Sequence, residues 1–153
     1  MNILLVDDEP QYLLVAGDFL RDEGWNVITA ENGEDGLRKL AGASIDIVIS
    51  DVYMPVMDGL RFHKEVRAIP MHASLPFLFV SANDDPHTLS AVAFSKNDAF
   101  LKKGRSPMDI KTWVRYLTSP EAERGNPPLT ASGNRPVRVQ AHTSLREERT
   151  GRR

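Results

Sequence analysis

Short apolar runs that end abruptly on polar side chains constrain this chain more than any other feature. Ile3-Leu4-Leu5-Val6 runs into Asp7-Asp8, Ile47-Val48-Ile49 into Ser50-Asp51, Phe77-Leu78-Phe79-Val80 into Ser81, and the weaker Ala99-Phe100-Leu101 into Lys102-Lys103. Successive side chains of a strand point to opposite faces, so a run that is apolar at every position is a strand covered on both sides. The β-branched stretch Val27-Ile28-Thr29-Ala30 adds another strand, second in chain order. Between the strands the apolar residues recur at helical spacing. Leu13, Ala16 and Leu20 precede a stop at Gly24; Gly36-Leu37 and Leu40-Ala41 mark a short helix; Leu60, Phe62, Val66 and Ile69 lie in a segment 58–69 closed by Pro70. Leu89, Val92 and Ala93 give a modest helix over 87–95, and Ile110, Trp113, Val114 and Leu117 give the clearest one. Five strands alternating with five helices predict an α/β fold, a doubly wound parallel sheet with helices on both faces. In such sheets ligands meet the crevice beyond the carboxyl ends of the strands.

Composition narrows the field further. No run of 18 apolar residues is present, and the first apolar run meets acid after Val6, too soon for a secretory leader. With no cysteine, a disulfide scaffold, a thiolate metal site and a cysteine nucleophile are excluded. These features predict a cytoplasmic protein with no membrane partner. The net charge of −2 supplies no field that would favour nucleic acid. Residues 1–118 hold 12 Lys and Arg against 17 Asp and Glu, whereas residues 119–153 hold 7 Arg against 4 Glu. The second segment also carries Pro120, Pro127, Pro128 and Pro136, and its sizeable apolar residues are only Leu129, Val137, Val139 and Leu145. So little apolar surface does not offset the entropy of ordering the segment. Residues 1–118 are therefore expected to form the domain, and 119–153 a flexible Pro- and Arg-containing tail or linker stub that folding does not need.

The strand ends carry the chemistry. Asp7, Asp8 and Asp51, the Ser81 hydroxyl and the Lys102-Lys103 ammonium groups would crowd one edge of the sheet. Close carboxylates repel unless a cation or proton is present, and an all-oxygen cluster suits Mg²⁺. A carboxylate can also accept a phosphoryl group, with a lysine and a hydroxyl to steady its oxygens. Taken singly, each element is ordinary: an Asp-Asp pair is most often a strand running into a turn, and Asp58 can serve simply as a helix cap. Their conjunction is not ordinary. Gly33, Gly36 and Gly42 form no phosphate-binding glycine pattern, and His63, His72, His87 and His142 show no metal-ligand spacing. His63, on the helix over 58–69, reads as a surface residue. The basic tail lacks an aromatic platform, so nucleic-acid binding is disfavoured.

These residues, with the loop Met54-Pro55-Val56-Met57-Asp58-Gly59 and Ser81-Ala82, resemble the receiver domain of two-component response regulators over residues 1–118. The spacings match as well: Asp51 lies 43 residues after Asp8, Ser81 lies 30 after Asp51, and Lys103 lies 22 after Ser81. The resemblance implies a flavodoxin-like strand order 2-1-3-4-5. It implies Asp51 as phosphoacceptor and Mg²⁺ held by Asp7, Asp8, Asp51 and the Tyr53 backbone carbonyl. Ser81 becomes the switch hydroxyl, Lys103 the lysine that pairs with the phosphoryl group, and Phe100 the switch aromatic. The implied donor is a sensor histidine kinase or a histidine phosphotransfer protein. The implied output is a protein target meeting the surface of the fourth helix, fifth strand and fifth helix. Catalysis would be limited to the domain's own phosphoryl transfer and slow hydrolysis.

Three positions depart from the family pattern. Lys103 is followed by Gly104 where the family usually has proline after a cis bond; a non-proline cis bond costs about 2.5–4 kcal/mol, so a trans peptide is expected. Phe100 has no hydroxyl to offer a partner. Tyr53 is bulky beside Asp51, placed to hinder attacking water. The chain reads as a phosphorylation-controlled switch, stand-alone or part of a larger regulator with its output domain elsewhere, or as a phosphorelay intermediate. A degenerate scaffold that is never phosphorylated is disfavoured, because all the key positions are filled.

Overall fold

The computed structural model describes residues 1–92, 95–104 and 106–128. Strands β1 (Asn2–Val6), β2 (Asn26–Ala30), β3 (Ile47–Ser50), β4 (Phe77–Ser81) and β5 (Asp98–Lys102) form one parallel sheet in the order β2-β1-β3-β4-β5. The chain steps from β1 outward to β2, then returns across β1 to build β3, β4 and β5 on the other side. The reversal falls between β1 and β3, which is where a crevice opens at the carboxyl ends of such a sheet. Register makes that position specific. Val6 pairs with both Ala30 and Ser50, so Asp7 and Asp51 leave the sheet side by side. Ser81 pairs with Lys102, so the lysine pair emerges next to the serine.

Strand alternation divides the core in two. Ile3, Leu5, Ile47, Ile49, Leu78, Val80 and Leu101 face helices α1 (Pro10–Asp22) and α5 (Pro107–Thr118), whose Ala16, Leu20, Ile110, Trp113, Val114 and Leu117 complete one cluster. Leu4, Val6, Val48, Phe77 and Phe79 point the other way, toward α2 (Gly33–Gly42), α3 (Gly59–Ala68) and α4 (Pro86–Ala91), with Leu40, Phe62, Val66 and Val92. The helix starts are written in the sequence: Asn32, Asp58, Asp85 and Ser106 each accept a backbone N–H of the first turn. Helix α4 is shorter than expected, beginning at Pro86 under its Asp85 cap and ending at Ala91 rather than near 95.

His63 is not on the surface. It is 4% exposed, its ring lies against Phe77 and Phe79 with centroids 4.8 and 5.3 Å away, and its Nε2 sits 3.0 Å from Asp98 Oδ1. Arg67 Nη2 reaches the same oxygen at 2.5 Å, and Ser95 Oγ donates to the other at 2.9 Å. Burial works against the Asp98 charge, but the hydrogen bond and charge of His63, with Arg67, hold it below the ordinary carboxylate range. This polar knot fixes α3 to the start of β5.

Residues beyond 118 also tie back. A short 3₁₀ turn (Glu121–Glu123) brings Arg124 across the end of α5. Its Nη2 donates to Leu117 O at 2.7 Å, its Nε to Ser119 O at 2.9 Å, and its Nη1 to Lys96 O and Asn97 Oδ1 at 3.3 and 3.2 Å. Lys96 pairs with Glu121 at 2.6 Å. The boundary expected at 118 therefore falls inside a hydrogen-bonded region, and residues 129–153 of the expected tail lie outside the described residues. Guanidinium bonds that satisfy helix-terminal carbonyls contribute about 1–3 kcal/mol together. A chain ending at residue 128 should keep the thermal midpoint of the full chain, while Arg124→Ala, or an end at residue 120, should lower it by several degrees. Equal midpoints for all three would show that the Arg124 contacts add nothing.

Candidate functional site

The loop after β3 is built around one close approach. Asp51 N donates to Val6 O at 2.9 Å, and Gly59 N returns to Val52 O at 2.8 Å. A Cβ on Gly59 would stand 1.9 Å from the Asp51 carbonyl oxygen, so no other residue fits. The start of α3 thus rests on the backbone of Asp51, with Asp58 Oδ1 accepting from Arg61 N at 2.8 Å. Between them Val56 takes φ 69°, an uncommon left-handed conformation for a β-branched residue. The Asp51 carboxylate is fixed in turn: Oδ1 accepts from Val52 N at 2.7 Å.

Asp7, Asp8 and Asp51 offer carboxylate oxygens that all lie within 4.8 Å of one another. Asp7 is 1% exposed and Asp51 7%, while Asp8 is open to solvent. The Lys103 ammonium answers this crowding, with its Nζ 2.6 Å from Asp7 Oδ2 and 3.1 Å from both Asp51 Oδ2 and Glu9 Oε1. Tyr12 lies beneath it, ring centroid 4.5 Å from Nζ. Burial pushes Asp7 up to about 6, although Lys103 and the Glu9 N–H pull the other way. Burial likewise raises Asp51 against the pull of Lys103. Burial disfavours the lysine's charge, but its pairs with Asp7 and Asp51 win and hold it above the ordinary ammonium range. Tyr12, buried beside them, is raised to about 12.

The remaining expected residues ring this cluster. Ser81 is 1% exposed, its Oγ accepts from Asn83 N at 3.2 Å, and its carbonyl accepts from Lys103 N at 2.8 Å. Lys102 turns away to Asp84, 3.1 Å distant. Phe100 is half-buried against the α3 side of the core. The chain contains no cis peptide among the described residues; Gly104 instead takes φ 82°, a turn that glycine makes without strain. Tyr53 is 46% exposed and its hydroxyl lies 2.6 Å from Thr88 Oγ1 on α4. Tyr12 and Thr88 were not singled out by sequence. Tyr12 follows Gln11 at the start of a helix and reads as core, and Thr88 carries no local signal for a contact 35 residues away.

The donor set fits a hard divalent cation: three carboxylates, converging and partly desolvated, whose mutual repulsion burial makes costly. A buried acid raised from 3.8 to about 6 destabilises the fold once ionised. That cost is absent at low pH, where the folded state keeps its proton, and grows as pH rises through the window between those values. In metal-free buffer, Asp7→Asn should raise stability at pH 7.5 by about 1–3 kcal/mol, and the gain should shrink toward pH 4. Thermal melts at the two pH values read this, and a gain that is constant or largest at pH 4 would contradict it.

With this geometry in view, the similarities to known proteins are specific. Residues 3–115 match the family model described as the response regulator receiver domain. The transcriptional regulatory protein GlrR of Escherichia coli is 39% identical over 82 residues, covering 54% of this chain and 18% of that protein. PhoP of Bacillus subtilis, the alkaline phosphatase synthesis transcriptional regulatory protein, is 29% identical over 116 residues, covering 76% of this chain and 48% of its own length. Among solved structures, Vibrio cholerae CheY4 superposes with a TM-score of 0.71 at 29% identity, over 76% of this chain and 97% of that one. The Thermotoga maritima response regulator TrrA, solved in complex with Mg²⁺ and BeF, gives 0.67 at 28% identity, over 76% and 97%. The chain belongs to the receiver domains of response regulators, signalling switches rather than enzymes in the usual sense. It spans less than half the length of these curated relatives.

Proposed function

We propose that Asp51 accepts a phosphoryl group from the phosphohistidine of a sensor histidine kinase or phosphotransfer protein, and that this resets a partner-binding surface. The observation that carries the reading is the position of Asp51. Its carboxylate is held by Val52 N and Lys103, and lies within 4.8 Å of the other two acids. A carboxylate oxygen attacks phosphorus in line while the bond to the donor imidazole breaks and its electrons return to nitrogen. Asp7, Asp8, Asp51 and the Tyr53 carbonyl would hold Mg²⁺, which when bound neutralises charge on the phosphoryl oxygens. Lys103, already paired with Asp7 and Asp51, needs little rearrangement to meet one of those oxygens. Ser81 gives up its bond from Asn83 N to hydrogen-bond another. Phe100 then packs inward, and the surface formed by α4, β5 and α5 meets the downstream target.

The receiver unit in this reading is residues 1–118, with the segment through Arg124 strapped to its end. The outputs of the longer relatives are not carried over; a regulator with its output elsewhere and a phosphorelay intermediate share the same first step. Asp51→Asn should take no label from radiolabelled acetyl phosphate in Mg²⁺, because the near-isosteric amide is far less nucleophilic. It should melt within a few degrees of the parent. Undiminished labelling of the variant would overturn the assignment.

A further inference from the structure

Tyr53 stands two residues beyond Asp51, yet its side chain is held by the other side of the crevice. Its hydroxyl meets Thr88 Oγ1 at 2.6 Å, and Thr88 is fully buried at the first turn of α4. The direction of the bond follows from proton count. Thr88 Oγ1 donates its single proton to Asp85 Oδ2 at 2.8 Å, so Tyr53 must be the donor to Thr88. Asp85 Oδ1 in turn accepts Thr88 N at 3.0 Å as the cap of α4. A continuous chain Tyr53–Thr88–Asp85 therefore joins the loop carrying Asp51 to the segment that follows Ser81. Asp51 and Ser81 end adjacent strands, so the tyrosine bridges the rim between the two groups that would handle a phosphoryl group. Phe100 offers no hydroxyl. The described residues thus contain this one tyrosine hydroxyl spanning from the Asp51 loop to α4.

The geometry points to Thr88 as a positioning residue for dephosphorylation: by fixing the Tyr53 ring across the rim, it limits the in-line approach of water to phosphorylated Asp51. This rests on Asp51 as the phosphoacceptor. An unheld, half-exposed tyrosine samples several rotamers, whereas one anchored at its tip by a buried partner stays beside the acyl phosphate. The anchor is itself anchored, since Asp85 fixes the threonine hydroxyl and leaves its lone pair aimed at the tyrosine.

The experiment follows loss of label after radiolabelled acetyl phosphate has been removed by desalting, in Mg²⁺, as a first-order rate independent of the amount loaded. Thr88→Val, which keeps the shape and removes the hydroxyl, should lose phosphate about fivefold faster, the factor that one net hydrogen bond of ordinary strength is worth. Thr88→Ser should decay at the parent rate, which a role in packing alone would not produce. Should Thr88→Val fail to melt cooperatively, Tyr53→Phe removes the same bond from its exposed end and must show the same acceleration. Decay in Thr88→Val equal to or slower than the parent, or as fast in Thr88→Ser as in Thr88→Val, overturns the inference and leaves Asp51 in place. A parent protein that takes no label at all overturns both.

Discussion

Three carboxylates and one ammonium at the mouth of the sheet are the constraint to which the rest of the molecule is fitted. Lys103 touches Asp7, Asp51 and Glu9, and without a cation among them the two buried acids would face one another across a gap that protein atoms cannot screen. The arrangement costs stability, as the raised Asp7 shows, and a fold bears such a cost only where the surrounding structure holds the groups in place. The holding is done by backbone. Asp7 N donates to Ala30 O, Asp51 N to Val6 O and Lys103 N to Ser81 O, so each charged residue is a direct continuation of the parallel ladder.

The ladder works because both faces of the sheet are covered. Odd and even positions of β1, β3 and β4 feed separate cores, and neither can slip without turning apolar side chains into the wrong cluster. Rigid strand ends then meet less regular loops. Gly59 lets α3 sit against the Asp51 carbonyl, Gly104 turns the chain after Lys103, and Tyr53 reaches over to α4. Asp51 stands one residue past β3 and Ser81 is the last residue of β4, so both are set by the ladder, while Tyr53 and the segment after β4 lie at its margin.

What was legible in the sequence follows the same division. The strands and the acids behind them could be read because the period and the charge change at a single residue, as at Val6-Asp7 and Ser50-Asp51. Choosing Lys103 over Lys102 rested on spacing, and the structure sends the two side chains to different carboxylates, Asp7 and Asp51 for one and Asp84 for the other. Contacts made by polar groups at long range were not legible. His63 looked external because hydropathy gives no weight to a ring that packs on Phe77 and Phe79 while pairing with Asp98. The segment after Thr118 has few apolar residues to signal packing, and Arg124 docks instead through polar contacts to the Leu117 and Lys96 carbonyls. Helix α4 ran short because its apolar spacing is weak and its start is set by Asp85 and Pro86, not by an apolar stripe.

In the proposed switch the Lys103 ammonium, and not its neighbour, joins the acid cluster to the responding surface. Amide exchange over β5, α4 and α5, measured with Mg²⁺ and with and without beryllofluoride as a phosphoryl mimic, tests it most directly. A buried point charge beside the phosphoryl oxygens is worth far more than a solvated one. Lys103→Ala should abolish most of the mimic-dependent difference in exchange, and Lys102→Ala should leave it nearly intact. The reverse pattern, or an undiminished difference in Lys103→Ala, would contradict the account.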